Sequence, residues 1–282
     1  MEEPTFLGSA RWQGPGSAVR SLGAVHAYLA LLTMWKDPRK LALLAMTAGI
    51  YAAGGLVTKY FQIVPGFLDL RPAAVFPLVF GILLGAPACW GAGLGNLIQD
   101  ILGGMFGPGS AVGFAANFLL AMVSWRVGAA FGLPSLLAGR QRPPGFSRVL
   151  LIRTLPAILL SSATCALTLG WGLDVMGLLP FLVLGNVVFL NNALFGIVLG
   201  PLLLAILGPR VDRWELGEDL PEARSELRGL ALGLLVLGAA GGFLALNALC
   251  IGHVVAASTG VPGVAPVGAV ALCLVLLGLA LL

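Results

Sequence analysis

The sequence predicts an all-α integral membrane protein with about eight transmembrane helices. Of its 282 residues 59% are hydrophobic and only 10% charged, with a mean hydropathy of +0.99. A soluble domain carries about 25% charged residues. Forty glycines point to closely packed helices, because small residues let helix backbones approach. No ten-residue alternating segments of the barrel type interrupt the apolar runs.

The net charge of +4 comes from the loops and reads as membrane topology rather than as a nucleic-acid footprint. Cys89, Cys165, Cys250 and Cys273 all fall in apolar runs without metal-ligand spacing, so they read as small core hydrophobes. No metal or other cofactor is expected. Met1–Lys40 lacks the basic flank and small-residue cleavage site of a secretory signal.

Residues 1–35 form a separate N-terminal segment. Its apolar part, Ser21–Trp35, is too short to span and reads as an interfacial amphipathic helix, with His26 on its surface. A core over 36–207 follows. Its first span, about Leu41–Ile63, carries small residues at Ala45, Gly49 and Ala53 and again at Ala48 and Ala52. These rows make a docking surface, either for the chain's own bundle or for a partner.

The apolar run Pro72–Gly104 is 33 residues long. As one helix it would reach about 50 Å, against a hydrocarbon core of about 30 Å. Pro87, just after Gly85, offers a break, so the run reads as a hairpin of two short spans, roughly 72–87 and 89–104. Further spans follow at about 110–131, 148–173 and 178–207. A charged loop, 208–228, then precedes a C-terminal hairpin over 229–282.

Charge placement tests this count. With both termini cytoplasmic, 14 of the 16 Lys and Arg lie on the cytoplasmic side, and only Lys59 and Arg71 lie outside. Merging the short hairpin into one helix would carry Arg140, Arg142 and Arg148 outside, against the positive-inside rule. Arg126 and Arg153 fall near cytoplasmic ends, where they can snorkel. The expected location is the inner (plasma) membrane.

Polar residues mark one region. Asp69, Arg71, Asn96, Asp100 and Asn117 gather toward the outer side, and Asn96 and Asp100 share a helix face four residues apart. Gly91 and Gly95 form a neighbouring row that another helix could approach. Ionisable groups at membrane depth usually face a bundle interior or a cavity. The cluster reads either as a solute pocket or as a structural network in which Arg71 pairs with Asp69 or Asp100. Asn186, Asn191 and Asn192 add three amides to the sixth span, as bundle glue or as pocket lining.

No catalytic constellation is present: there is no Ser–His–Asp set, no HExxH and no nucleotide loop. His253 stands alone and reads as structural.

The stretch RPAAVFPLVFGILLGAPACWGAGLGNLIQDILGG, with GPGSAVGFAANFLLAMVSWRV after it, resembles the S components of energy-coupling-factor (ECF) vitamin transporters. The shared features are Arg71-Pro72, Gly95-Asn96 with Asp100, and Gly113-Phe114 with Asn117-Phe118. The resemblance implies a six-helix S-component-like bundle plus a C-terminal two-helix extension. It also implies that a vitamin-like solute binds near the outer face, and that a transmembrane coupling protein and cytoplasmic ATPases are partners. Small residues on the first helix, Ala45, Ala48, Gly49 and Ala52, would dock that partner. The resemblance itself brings no substrate contacts; the polar residues already singled out, Asp69, Arg71, Asn96, Asp100, Asn117, Asn191 and Asn192, are the candidate substrate-binding set. If the last two spans covered the first helix, coupling by this route would be blocked. The competing readings are a non-transporting subunit of a larger membrane complex and, with only Asp69, Arg71 and Asp100 behind it, a lipid-modifying enzyme.

Overall fold

A computed structural model of the chain describes residues 29–58, 62–64, 68–69, 71–138, 147–217, 225–255 and 264–282. Most of the expected interfacial helix, with His26, and the arginines at 140 and 142 lie outside these residues. So do the side chains of Asp69 and His253.

Ten helices are described: α1 Pro38–Thr58, α2 Val75–Leu84, α3 Ala86–Leu102, α4 Pro108–Ala130, α5 Leu133–Ala138, α6 Arg148–Val175, α7 Phe181–Arg213, α8 Ser225–Leu235, α9 Gly242–Val255 and α10 Val264–Leu281. A π-helical turn, Val236–Gly241, joins α8 to α9 into one span. A two-stranded antiparallel ribbon lies between α1 and α2, with β1 (Gln62–Val64) against β2 (Leu68–Asp69). Six spans are long and apolar enough to cross a membrane: α1, α4, α6, α7, the α8–α9 unit and α10. The protein is an all-α, multi-pass membrane protein.

The short hairpin is present, but it turns at a different residue. Gly85 sits at φ +67, ψ −129 between α2 and α3, a conformation that side chains with a Cβ rarely adopt. Pro87 lies in the first turn of α3, where its missing N–H costs no hydrogen bond. The spans are therefore 75–84 and 86–102 rather than 72–87 and 89–104.

Helix direction alternates along the chain. The Arg39 guanidinium donates to the Trp214 carbonyl (3.2 Å), so the start of α1 meets the end of α7. The turns at 103–107 and 176–180 share the opposite end, which we call the turn end. Ser147 caps α6 by accepting from Leu150 N (3.1 Å), and Asp174 accepts from Phe181 N (2.6 Å) to fix the α6–α7 turn. Leu31 and Met34 are buried in the core at the end opposite the turns, and Trp90 Nε1 donates to the Leu31 carbonyl (3.1 Å). Residues 29–36 thus pack on the bundle.

Two expectations change. Arg126 is only 3% exposed, so it stays within the bundle instead of snorkelling to water; its guanidinium lies 5.9 Å from the Trp125 ring. The small-residue rows of α1 also part company. Ala48 and Ala52 are each 4% exposed and face α3, whereas Ala45, Gly49 and Ala53 are exposed. As the helices stand, Ala48 and Ala52 are not available for docking a partner.

The α8–α10 extension packs on α6 and α7. Asn186 Nδ2 donates to Asn247 Oδ1 (2.6 Å), Trp171 Nε1 donates to the Ala265 carbonyl (3.2 Å), and the Trp171 ring rests where Gly268 leaves no side chain. The outward face of α1 stays uncovered by it.

Candidate functional site

The site is built where α1, α3 and α4 meet near the turn end. Gly91 and Gly95 let α3 approach α1 closely. A Cβ at Gly91 would lie 2.6 Å from Thr47 Cβ, and one at Gly95 would lie 2.9 Å from the Tyr51 ring and 3.0 Å from the Ala48 carbonyl. This approach brings the polar row of α3 beside α1 and α4. Gly113 does the same on α4, where a Cβ would meet Asn96 Nδ2 at 2.6 Å.

Side chains from all three helices then join in one chain of hydrogen bonds. Tyr51 Oη donates to Asn117 Oδ1 (2.7 Å), Asn117 Nδ2 donates to Asn96 Oδ1 (3.0 Å), and Asn96 Nδ2 donates to Asp100 Oδ2 (3.2 Å). Asn117 Nδ2 also donates to the Gly113 carbonyl (2.9 Å). Beside it, Gln99 Nε2 donates to the Tyr51 backbone carbonyl (3.1 Å). Tyr51, Asn96, Gln99 and Asn117 are buried, while Asp100 is half-buried. Buried amides at membrane depth need such partners.

A second group lies on α6 and α7. The backbone N–H of Arg71 faces Asn191 Oδ1 at 3.4 Å. Asn192 lies beside the Cys165 thiol, and both side chains are buried. Asn191 and Asn192 are both buried, so both face the interior. Arg71 is half-buried, and Cys165 shares one apolar cluster with Ala116, the chain neighbour of Asn117, which brings the two groups side by side.

Six of the seven expected solute-site residues thus converge: Arg71, Asn96, Asp100, Asn117, Asn191 and Asn192. The backbone of Asp69 sits in β2, at the same end. Among the described residues Asp100 makes no ion pair, so of the two pairings open to Arg71 the one with Asp100 is not formed, and the one with Asp69 involves a side chain outside the described residues. Asn186 turns away to hold the C-terminal extension and is bundle glue.

Tyr51, Gln99 and Cys165 were not foreseen. Tyr51 lies three residues beyond Ala48 on the inward face of α1, and that spacing was its only signal. Gln99 sits between Asn96 and Asp100 and belongs to the side of α3 that meets α1.

The sequence profile of the QueT transporter family matches residues 41–209, more than half of the chain. The chain belongs to the QueT transporter family. QueT proteins are S components of ECF-type transporters, which makes this a transporter subunit and not an enzyme. The matched region holds both polar groups and excludes the whole α8–α10 extension of this QueT protein. The comparisons with curated proteins and with solved structures return no match.

Proposed function

We propose that this QueT-family protein captures a queuosine precursor at the outer face of the plasma membrane and releases it inward when an ATP-driven ECF module engages it. The observation that carries this reading is the convergence of two polar groups from five helices at one end of the bundle. Its amides, one carboxylate and one guanidinium offer donors and acceptors in several directions, which suits a flat solute with a hydrogen-bonding edge on more than one side. Asp69, Arg71, Asp100, Asn191 and Asn192 are its candidate solute contacts, and Asn96 and Asn117 hold the site's geometry behind them. In this reading the turn end faces outward and both termini face the cytoplasm, an orientation that the distribution of Lys and Arg supports.

The exposed α1 row, Ala45, Gly49 and Ala53, supports docking of a transmembrane coupling helix. A Cβ at Gly49 would have nothing within 4 Å, and the C-terminal extension leaves this face open. The coupling subunit and its cytoplasmic ATPases are the expected partners. No part of the chain is assigned to nucleic acid.

Native mass spectrometry of the purified protein, challenged with queuosine precursors and with a panel of vitamins, tests this directly. A retained or sub-micromolar queuosine precursor supports the reading. Selective binding of a vitamin, or of nothing, refutes the substrate assignment.

A further inference from the structure

We propose that Asp100 determines solute specificity by accepting an N–H edge, and that Tyr51, Asn117 and Asn96 are positioning residues that aim it without touching the solute. This rests on the solute-capture reading above.

The sense of the hydrogen-bond chain is fixed at both ends by groups that can only accept. The Gly113 carbonyl requires the nitrogen of the Asn117 amide on its side, which turns Oδ1 toward Tyr51 and makes the tyrosine hydroxyl the donor. The Asn117 nitrogen then also donates to Asn96 Oδ1, and both of its hydrogens are used. Asn96 must in turn present Nδ2 to the carboxylate of Asp100. From Tyr51 through Asn117 and Asn96, each side chain donates to the next in the direction of Asp100. Asn117 is 6% exposed and Tyr51 7%, and neither retains a donor for a solute.

Asp100 is the opposite case. It is half-buried, accepts one side-chain hydrogen bond at one oxygen and pairs with no cation among the described residues. Among the described residues the second oxygen accepts no side-chain hydrogen bond, which leaves an acceptor at the edge of the polar groups. A carboxylate in low dielectric needs further donors. The solute supplies them through an amino or amidine-like N–H edge, and a solute whose matching edge carries only acceptors is repelled. The three-residue brace holds the carboxylate in register for that edge.

Equilibrium binding to the purified full-length protein tests the assignment, with a queuosine-precursor base and the same base lacking its exocyclic amine as probes. The desamino base should bind roughly 10- to 100-fold more weakly than its parent, and Asp100→Asn should weaken the parent base by a similar factor while erasing that preference. Tyr51→Phe removes one oxygen and should weaken the parent base roughly 3- to 10-fold. In the Asp100→Asn background it should have no further effect, because the brace acts only through the carboxylate.

Additive losses, or a Tyr51→Phe variant that melts earlier but binds normally, would make the brace purely structural and overturn its positioning role. An Asp100→Asn protein that keeps both affinity and preference would overturn the specificity role. Both leave solute capture standing. Wild-type protein that binds neither base fails at the earlier step and removes the substrate reading together with this one.

Discussion

Each polar side chain in this bundle is defined by how many of its hydrogen-bonding groups the protein itself consumes. Asn117 spends both donors on Asn96 and Gly113, and Asp100 accepts once. Identical depth and similar chemistry therefore do not mean the same role. Glycines set the tolerance of this arrangement. A methyl at Gly113 would lie 2.6 Å from Asn96 Nδ2 and must push the amide off Asp100. Gly113→Ala should lower solute affinity roughly threefold to tenfold, through a strained or lost hydrogen bond. Gly107→Ala, where a Cβ meets nothing within 4 Å, should bind as wild type. Calorimetric titration of the two variants checks the contrast.

Helix α1 shows how one element serves two surfaces. Ala48 faces α3 while Gly49, one residue on, faces outward. Ala48→Leu forces bulk into a packed helix contact and should destabilise the protein by about 1–3 kcal/mol. Gly49→Leu meets open space and replaces a helix-interior glycine, so it should leave the protein as stable or raise its stability by about 0.5–1 kcal/mol. Thermal melts in detergent separate these effects. Co-purification with the coupling subunit should fall for Gly49→Leu and Ala45→Leu, since bulky side chains hold helices apart. Unchanged recovery would move the docking face elsewhere. At the α2–α3 turn, Gly85→Ala should cost about 1–3 kcal/mol, because the φ of +67 is retained only by surrounding packing.

For the whole molecule, the C-terminal extension shares an apolar core with α6 and α7, where Phe243 packs on Phe181 and Phe189, and the Asn186–Asn247 hydrogen bond adds a polar contact to it. Asn247→Leu removes the partner of Asn186 and should loosen the extension by about 0.6–1.7 kcal/mol. Hydrogen exchange should rise across 225–281, while solute affinity stays within about twofold because both polar groups lie within 41–209. A large loss of affinity would make the extension part of the binding apparatus.

Much of this was legible in the sequence. Composition fixed the solvent, because a chain with 10% charged residues cannot satisfy water over its whole surface. Charge parity called for a short hairpin within 72–104, because loops rich in Lys and Arg resist translocation, and that hairpin is present as α2–α3. The four-residue spacing of Asn96 and Asp100, and the glycine row beside them, are local periodicities and survived unchanged. Tertiary structure decided what no local period encodes. It took Tyr51 into the brace, sent Asn191 and Asn192 inward while Asn186 turned to Asn247, and buried Ala48 and Ala52 while Ala45 and Gly49 stayed exposed. A helix repeats every 3.6 residues whatever lies beside it. Only the neighbours packed against each face decide which stripe is core, which is site and which is left for a partner.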